Sequence, residues 1–252
     1  MGKLTNEPMT SMKQAAAHAE GRKVKGVRVT KRKARDVKLI RGAKKTARDS
    51  VNEIATVRIE LLHTNPLIWR QVEVPTSVTL KVLHDIVQDA MGWFDYHLWV
   101  FTIGKQKYGL PMDEDLGTEP LREAAKVRLR DVLKAPKTVI DYVYDFGDYW
   151  ELRLTVTDIR AGEPALSYPR YVGGGRNAPP EDCGGIHGFY EMLEAMADPH
   201  HPNHAEVMDW IDEYDPDVID ELRIKVALSR IANRRNAAKT ASARKSRGGP
   251  DS

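Results

Sequence analysis

The stretch Val139–Val156, VIDYVYDFGDYWELRLTV, most restricts what this chain can fold into. Its β-branched and aromatic residues, with near alternation of polar and apolar positions from Asp141 to Phe146, suit two pleated strands. The reversal between them is expected at Phe146-Gly147-Asp148, with Gly147 supplying the residue that takes positive φ at low cost. Such a hairpin gathers Asp145, Asp148 and Trp150 at one corner. The two carboxylates either hold the turn through backbone amides or belong to a polar site. Asp145-Phe146-Gly147 also spells the magnesium-binding triplet of protein kinases, but the glycine-rich loop, strand lysine and HRD loop of those enzymes are missing.

The remaining segments extend this sheet. Ala55–Leu62 and Ile68–Val74 alternate on either side of Asn65-Pro66, which predicts a hairpin closed by Pro75. From Thr79 to Met91, Leu80, Leu83, Ile86 or Val87, and Ala90 recur at helical spacing before Gly92. His84 falls on or beside the buried face, where a hydrogen-bonded core histidine is expected. The aromatic run Trp93–Trp99, containing His97, leads into a strand at Leu98–Ile103 and a short partner at Lys107–Gly109. Pro111–Pro120 reads as an acidic loop and Val127–Leu133 as a short helical turn. Glu151–Thr157 adds a further strand.

Tyr168–Gly185 reads as a long Pro/Gly-rich loop, which places Glu181 and Asp182 just ahead of a helix at Ile186–Ala197. There the two carboxylates would favour the helix dipole or contribute to a site. His200, His201 and His204 fall in a proline-interrupted loop before a helix at Ala205–Ile211. The last helix is expected over Asp217–Ala232 with Ile219, Leu222 and Val226 inward. This order predicts an α+β fold, a β-grasp-like mixed or antiparallel sheet with a packed helix, C-terminal helices and disordered basic tails.

Charge divides the chain into three parts. Residues 1–50 hold fifteen Lys or Arg against four Asp or Glu, and residues 230–252 hold seven against one. The body between them is strongly acidic. The expected organisation is a disordered basic arm over 1–50, one α+β domain over 51–229 and a basic tail over 230–252. Arg22, Lys23, Lys25, Lys31, Arg32, Lys33 and Arg35 form the densest part of the arm, a pattern that neutralises phosphates without reading sequence. A single cysteine, Cys183, excludes an internal disulfide and a multi-cysteine zinc site. No apolar run reaches the ~20 residues of a membrane span, so a cytoplasmic protein without membrane contact is expected.

HTNPLIWRQVEVP, LHDIVQDAMGWFDYHLWVF, YVYDFGDYWELRLTV and PPEDCGG, in that order, closely resemble the plasmid pRiA (Ri-plasmid) ORF-three-like family. Its members often carry the label TnpR or transposon passenger protein. The resemblance spans about residues 54–229 and implies a mobile-element association, with no established chemistry. His84, His97, Asp145, Asp148, Glu181 and Asp182 match the family pattern. Leu152 and Ala178 depart from it, standing where members often have histidine and cysteine.

Three functions follow. The first is an accessory or binding module that contacts nucleic acid through the basic arms. The second is a hydrolase-like enzyme in which Asp145, Asp148, Glu181 and Asp182 hold a divalent cation and His97 acts as acid or base. The third is a scaffold that binds a protein partner at a sheet edge.

Overall fold

The computed structural model describes residues 53–111, 121–134, 137–211 and 213–247. The N-terminal arm, with Arg22 to Arg35, and nearly all of the acidic loop at Pro111–Pro120 lie outside these residues. The described chain divides into two compact units, residues 182–211 and residues 53–181 with 213–247.

The larger unit is built on one eight-stranded sheet, so the fold is α+β. Its strands are β1 (Ile54–Leu61), β2 (Ile68–Pro75), β3 (Trp99–Ile103), β4 (Gln106–Gly109), β5 (Arg122–Glu123), β6 (Thr138–Tyr144), β7 (Trp150–Arg160) and β8 (Arg170–Gly175). They run in the order β5-β4-β3-β6-β7-β1-β2-β8. Every neighbour is antiparallel except the pair β4 and β5. The alternation that predicted β6 and β7 appears as burial: Ile140, Tyr142, Tyr144, Trp150, Leu152 and Leu154 are all inside.

Helix α1 (Leu80–Met91) begins where Thr79 Oγ1 accepts from Val82 N (3.3 Å) and stops at Gly92, in the left-handed region at φ 79°. Its buried face carries Leu80, Leu83, Ile86, Val87 and Ala90, together with two polar residues, His84 and Gln88. A 3-10 turn (Ala124–Lys126) and the short helix α2 (Leu129–Val132) lead back to the sheet. In the smaller unit, α3 (Gly185–Ala197) and α4 (His204–Trp210) pack on each other, and His204 Nδ1 is 2.7 Å from Ala195 O. Gly188 is required within this unit, because a Cβ there would lie 2.0 Å from Cys183 O.

Four expectations are corrected. Gly147 does not take positive φ. Asp145 and Tyr149 do, each at 56°, because Asp145 Oδ1 accepts from Gly147 N (2.8 Å) and Asp145 O accepts from Tyr149 N (2.6 Å). An aspartate that binds its own backbone tolerates the left-handed region without help from glycine.

The supposed loop at 168–185 contains an edge strand, β8, paired with β2. Its glycines admit a crowded neighbour: a Cβ at Gly174 would sit 2.9 Å from both Trp69 O and Arg70 Cδ, and one at Gly175 would sit 2.5 Å from Trp69 Nε1.

The last helix, α5 (Glu221–Arg247), starts after Ile219 and continues well past Ala232. It packs on α1 and β8. Ile224, Leu228, Ile231 and Ala232 are buried, whereas Leu222 is 72% exposed and Val226 44%. The helix carries two apolar stripes, and contact with α1 and β8 selects the second.

Among the described residues no helix is long and apolar enough to cross a membrane.

Candidate functional site

The polar residues on α1 open a hydrogen-bonded chain through the larger unit. Asp95 accepts at Oδ1 from His84 Nε2 (2.7 Å), and a carboxylate can only accept, so Nε2 carries the proton. Nδ1 of the neutral ring is then the acceptor for Tyr142 Oη (2.7 Å). Tyr142 Oη in turn accepts from Gln88 Nε2 (3.0 Å), while Gln88 Oε1 accepts from Asp95 N (3.0 Å). The four residues close a ring, with Asp95 contributing both its carboxylate and its backbone N–H. His84 and Tyr142 are fully buried. Burial pushes the His84 imidazolium down, only partly offset by the Asp95 carboxylate, and burial pushes the Tyr142 phenol well up.

Asp95 is half-exposed and also faces Lys81 Nζ at 3.4 Å, which bonds Asp85 at 2.7 Å. Burial raises the Asp95 carboxyl, but the hydrogen bond from His84 and the Lys81 ammonium outweigh it and hold the group below its ordinary range. His84, Asp85 and Asp95 could present three ligand atoms within 4.8 Å of one another. The Lys81 ammonium already supplies positive charge to both carboxylates.

A second cluster pins the loop after α1. Glu181 Oε2 accepts from Phe94 N (2.8 Å), and its Oε1 accepts from Tyr144 Oη. Tyr144 Oη accepts from Tyr96 N (3.1 Å), and its ring stacks on Trp93 at 5.0 Å. Trp93 Nε1 donates to Pro179 O (3.0 Å). His97 lies edge-on to Tyr144 at 5.7 Å, with Nε2 3.4 Å from Asp145 Oδ2. Burial and the Glu181 carboxylate push the Tyr144 phenol far above its ordinary value. What the loop leaves outside is aromatic: Phe94 and Tyr96 are 58% and 55% exposed and stack on each other, with Arg223 of α5 over Phe94.

Of the residues singled out in the sequence, Glu181, His97 and Asp145 therefore meet around Tyr144. His84 sits in the neighbouring ring. Trp150 is a fully buried core residue, 6.0 Å from Trp93, rather than part of a surface corner. Asp148 stays in the turn between β6 and β7, half-buried. Asp182 opens the smaller unit at φ 60°. Glu181 serves the aromatic loop, accepting a hydrogen bond at each of its oxygens.

Sequence reasoning passed over Gln88, Asp95, Tyr142 and Tyr144. The available signal was Gln88, four residues after His84 on an otherwise apolar helix face. It also passed over Arg70, which is buried and, among the described residues, has only backbone carbonyls as hydrogen-bond partners. Its Nε donates to Ala90 O (3.0 Å) and its Nη1 to Trp69 O (2.8 Å), Gly175 O (3.2 Å) and Arg176 O (2.7 Å). Burial pushes its guanidinium pKa down. This arginine ties the end of β8 to α1.

The fold and site thus define an α+β protein whose polar residues chiefly fix one aromatic loop. The chain belongs to the plasmid pRiA4b ORF-3-like protein family, whose model matches residues 53–223. It is 36% identical over 169 residues to the uncharacterized protein y4hQ of Sinorhizobium fredii (strain NBRC 101917 / NGR234), an alignment covering 66% of this chain and 85% of that protein. The crystal structure of a protein of unknown function, MM3350 from Methanosarcina mazei Go1, superposes with a TM-score of 0.63 at 31% identity, covering 68% of this chain and 97% of that one.

Proposed function

We propose that the protein is an accessory module of a mobile element that binds nucleic acid non-specifically by its cationic segments. The observation that carries this reading is the continuation of α5. From Arg230 to Arg247 the helix holds seven Lys or Arg and no Asp or Glu. A regular helical backbone spaces these residues evenly, and Arg230 and Arg234, one turn apart, are exposed. The N-terminal run Arg22–Arg35 adds cations of the same kind. The acidic body opposes approach of a polyanion elsewhere, which confines contact to the basic segments.

The site chemistry supports a binding module over an enzyme. His84 and Tyr142 are buried, and Glu181 accepts a loop hydrogen bond at each oxygen. Such groups position a surface.

The test is fluorescence anisotropy of labelled duplex and single-stranded nucleic acid with the full chain, across several salt concentrations. Binding should weaken steeply with salt. The double variant Arg230→Gln/Arg234→Gln should weaken duplex binding and reduce the slope of log K against log salt by roughly 2, about 0.9 for each lost phosphate contact. Absence of binding, or a slope unchanged by the double variant, overturns the reading.

A further inference from the structure

The junction of β8 and α5 forms a groove of about 340 Å3 within the larger unit. From α5 it is lined by Lys225, Ser229 and Asn233, spaced four residues apart and hence along one face. From β8 and the residues before it come Ser167, Arg170 and Tyr171. Two cations and four neutral hydrogen-bonding side chains, Ser167, Tyr171, Ser229 and Asn233, line this space, with the Ser229 hydroxyl donating to Lys225 O (2.7 Å), and no carboxylate lines it among the described residues.

Arg170 is held in place from behind. Buried Glu73 accepts from Arg170 Nε and from Arg160 Nη2 (2.7 Å), so one carboxylate serves two guanidinium groups. Burial raises the Glu73 carboxyl, but the two arginines outweigh it and keep the group ionised below its ordinary range. Arg170 gives one of its five N–H donors to Glu73 and remains 40% exposed. Lys225 lies 5.7 Å from the Tyr171 ring centroid. Its partner Glu221, at 2.7 Å, makes a half-exposed surface pair of the kind a stronger anion displaces.

We propose that this groove seats a phosphate group. A guanidinium and an ammonium that line one groove together with hydroxyl and amide groups match a tetrahedral oxyanion with several acceptor oxygens. As the seat of a backbone phosphate the groove deepens the nucleic-acid reading and rests on it. As the seat of a free phosphate ester or ion it stands without that reading.

The experiment titrates the full chain with inorganic phosphate by calorimetry, and with a short labelled oligonucleotide, single-stranded and duplex, by anisotropy. Asn233→Asp and Lys225→Gln change exposed side chains, and an unchanged melting temperature shows that each variant is folded. Arg170 is left intact because its loss would strand Glu73. Each variant should weaken binding about tenfold or more, as expected for losing or repelling a charge-assisted contact.

If both probes bind and both weaken, the groove is a phosphate seat used by nucleic acid. If phosphate binds and weakens while neither oligonucleotide binds, the groove stands and the nucleic-acid reading falls. If oligonucleotides bind equally to wild type and variants, and phosphate binding is absent or unaltered, the groove proposal is overturned while that reading survives. Failure of both probes to bind overturns both.

Discussion

Backbone space at single positions governs the edge of this sheet. Gly174 lies across from Arg70, and a Cβ there would press on Trp69 O, Arg70 Cδ and Tyr171 Oη at 2.6–2.9 Å. Gly174→Ala should therefore destabilise the protein by about 1–3 kcal/mol in denaturant unfolding, the usual range for overpacking. Gly147→Ala should cost less, because a Cβ there meets only Asp145 Oδ1, at 3.2 Å. Local pattern pointed to Gly147 as the special glycine and placed Gly173–Gly175 in a long loop. What reversed them is a cross-strand neighbour, and local pattern contains no register. His84 was legible because helical spacing alone places it inside. Its partners Tyr142 and Asp95 were not, since they reach it across the sheet and from a loop.

At the scale of elements, α5 shows how far periodicity reaches. Helical spacing identified the element, yet Leu222–Val226 and Ile224–Leu228–Ile231 are both acceptable stripes, and only packing on α1 and β8 distinguishes them. Leu228→Ala should cost about 2–5 kcal/mol, as for other large-to-small core changes, and Leu222→Ala should stay within about 0.5 kcal/mol. Equal effects in thermal or denaturant unfolding would contradict the observed face. The hairpins β1–β2 and β6–β7 and the helix α1 were legible because their alternation, turn residues and caps agree with one another. Strand β8 was hidden by its composition, which resembles a loop's for reasons that lie in β2.

For the molecule as a whole, the buried ionisable groups set the response to acid. His84 has a folded pKa below its ordinary value of 6.5, so the unfolded chain binds its proton first. Stability attributable to His84 is complete above pH 6.5 and declines as pH falls from there towards the folded pKa, with a slope of at most about 1.4 kcal/mol per pH unit. Asp95 and Glu73 are shifted down from ordinary values of 3.8 and 4.5, so their contribution persists above those values and is lost only as pH falls through the lower folded ones. Denaturant unfolding at a series of pH values should show two separate declines. His84→Gln should lower overall stability and remove the first decline while keeping the part of the second that Glu73 carries, since Asp95 owes its low pKa partly to His84. The same histidine stacks almost parallel on the Trp99 indole, with ring centroids 4.0 Å apart. An imidazolium at that distance quenches indole emission where a neutral imidazole does so weakly, so the protonation state of the interior is written into the protein's own fluorescence and can be followed without a label.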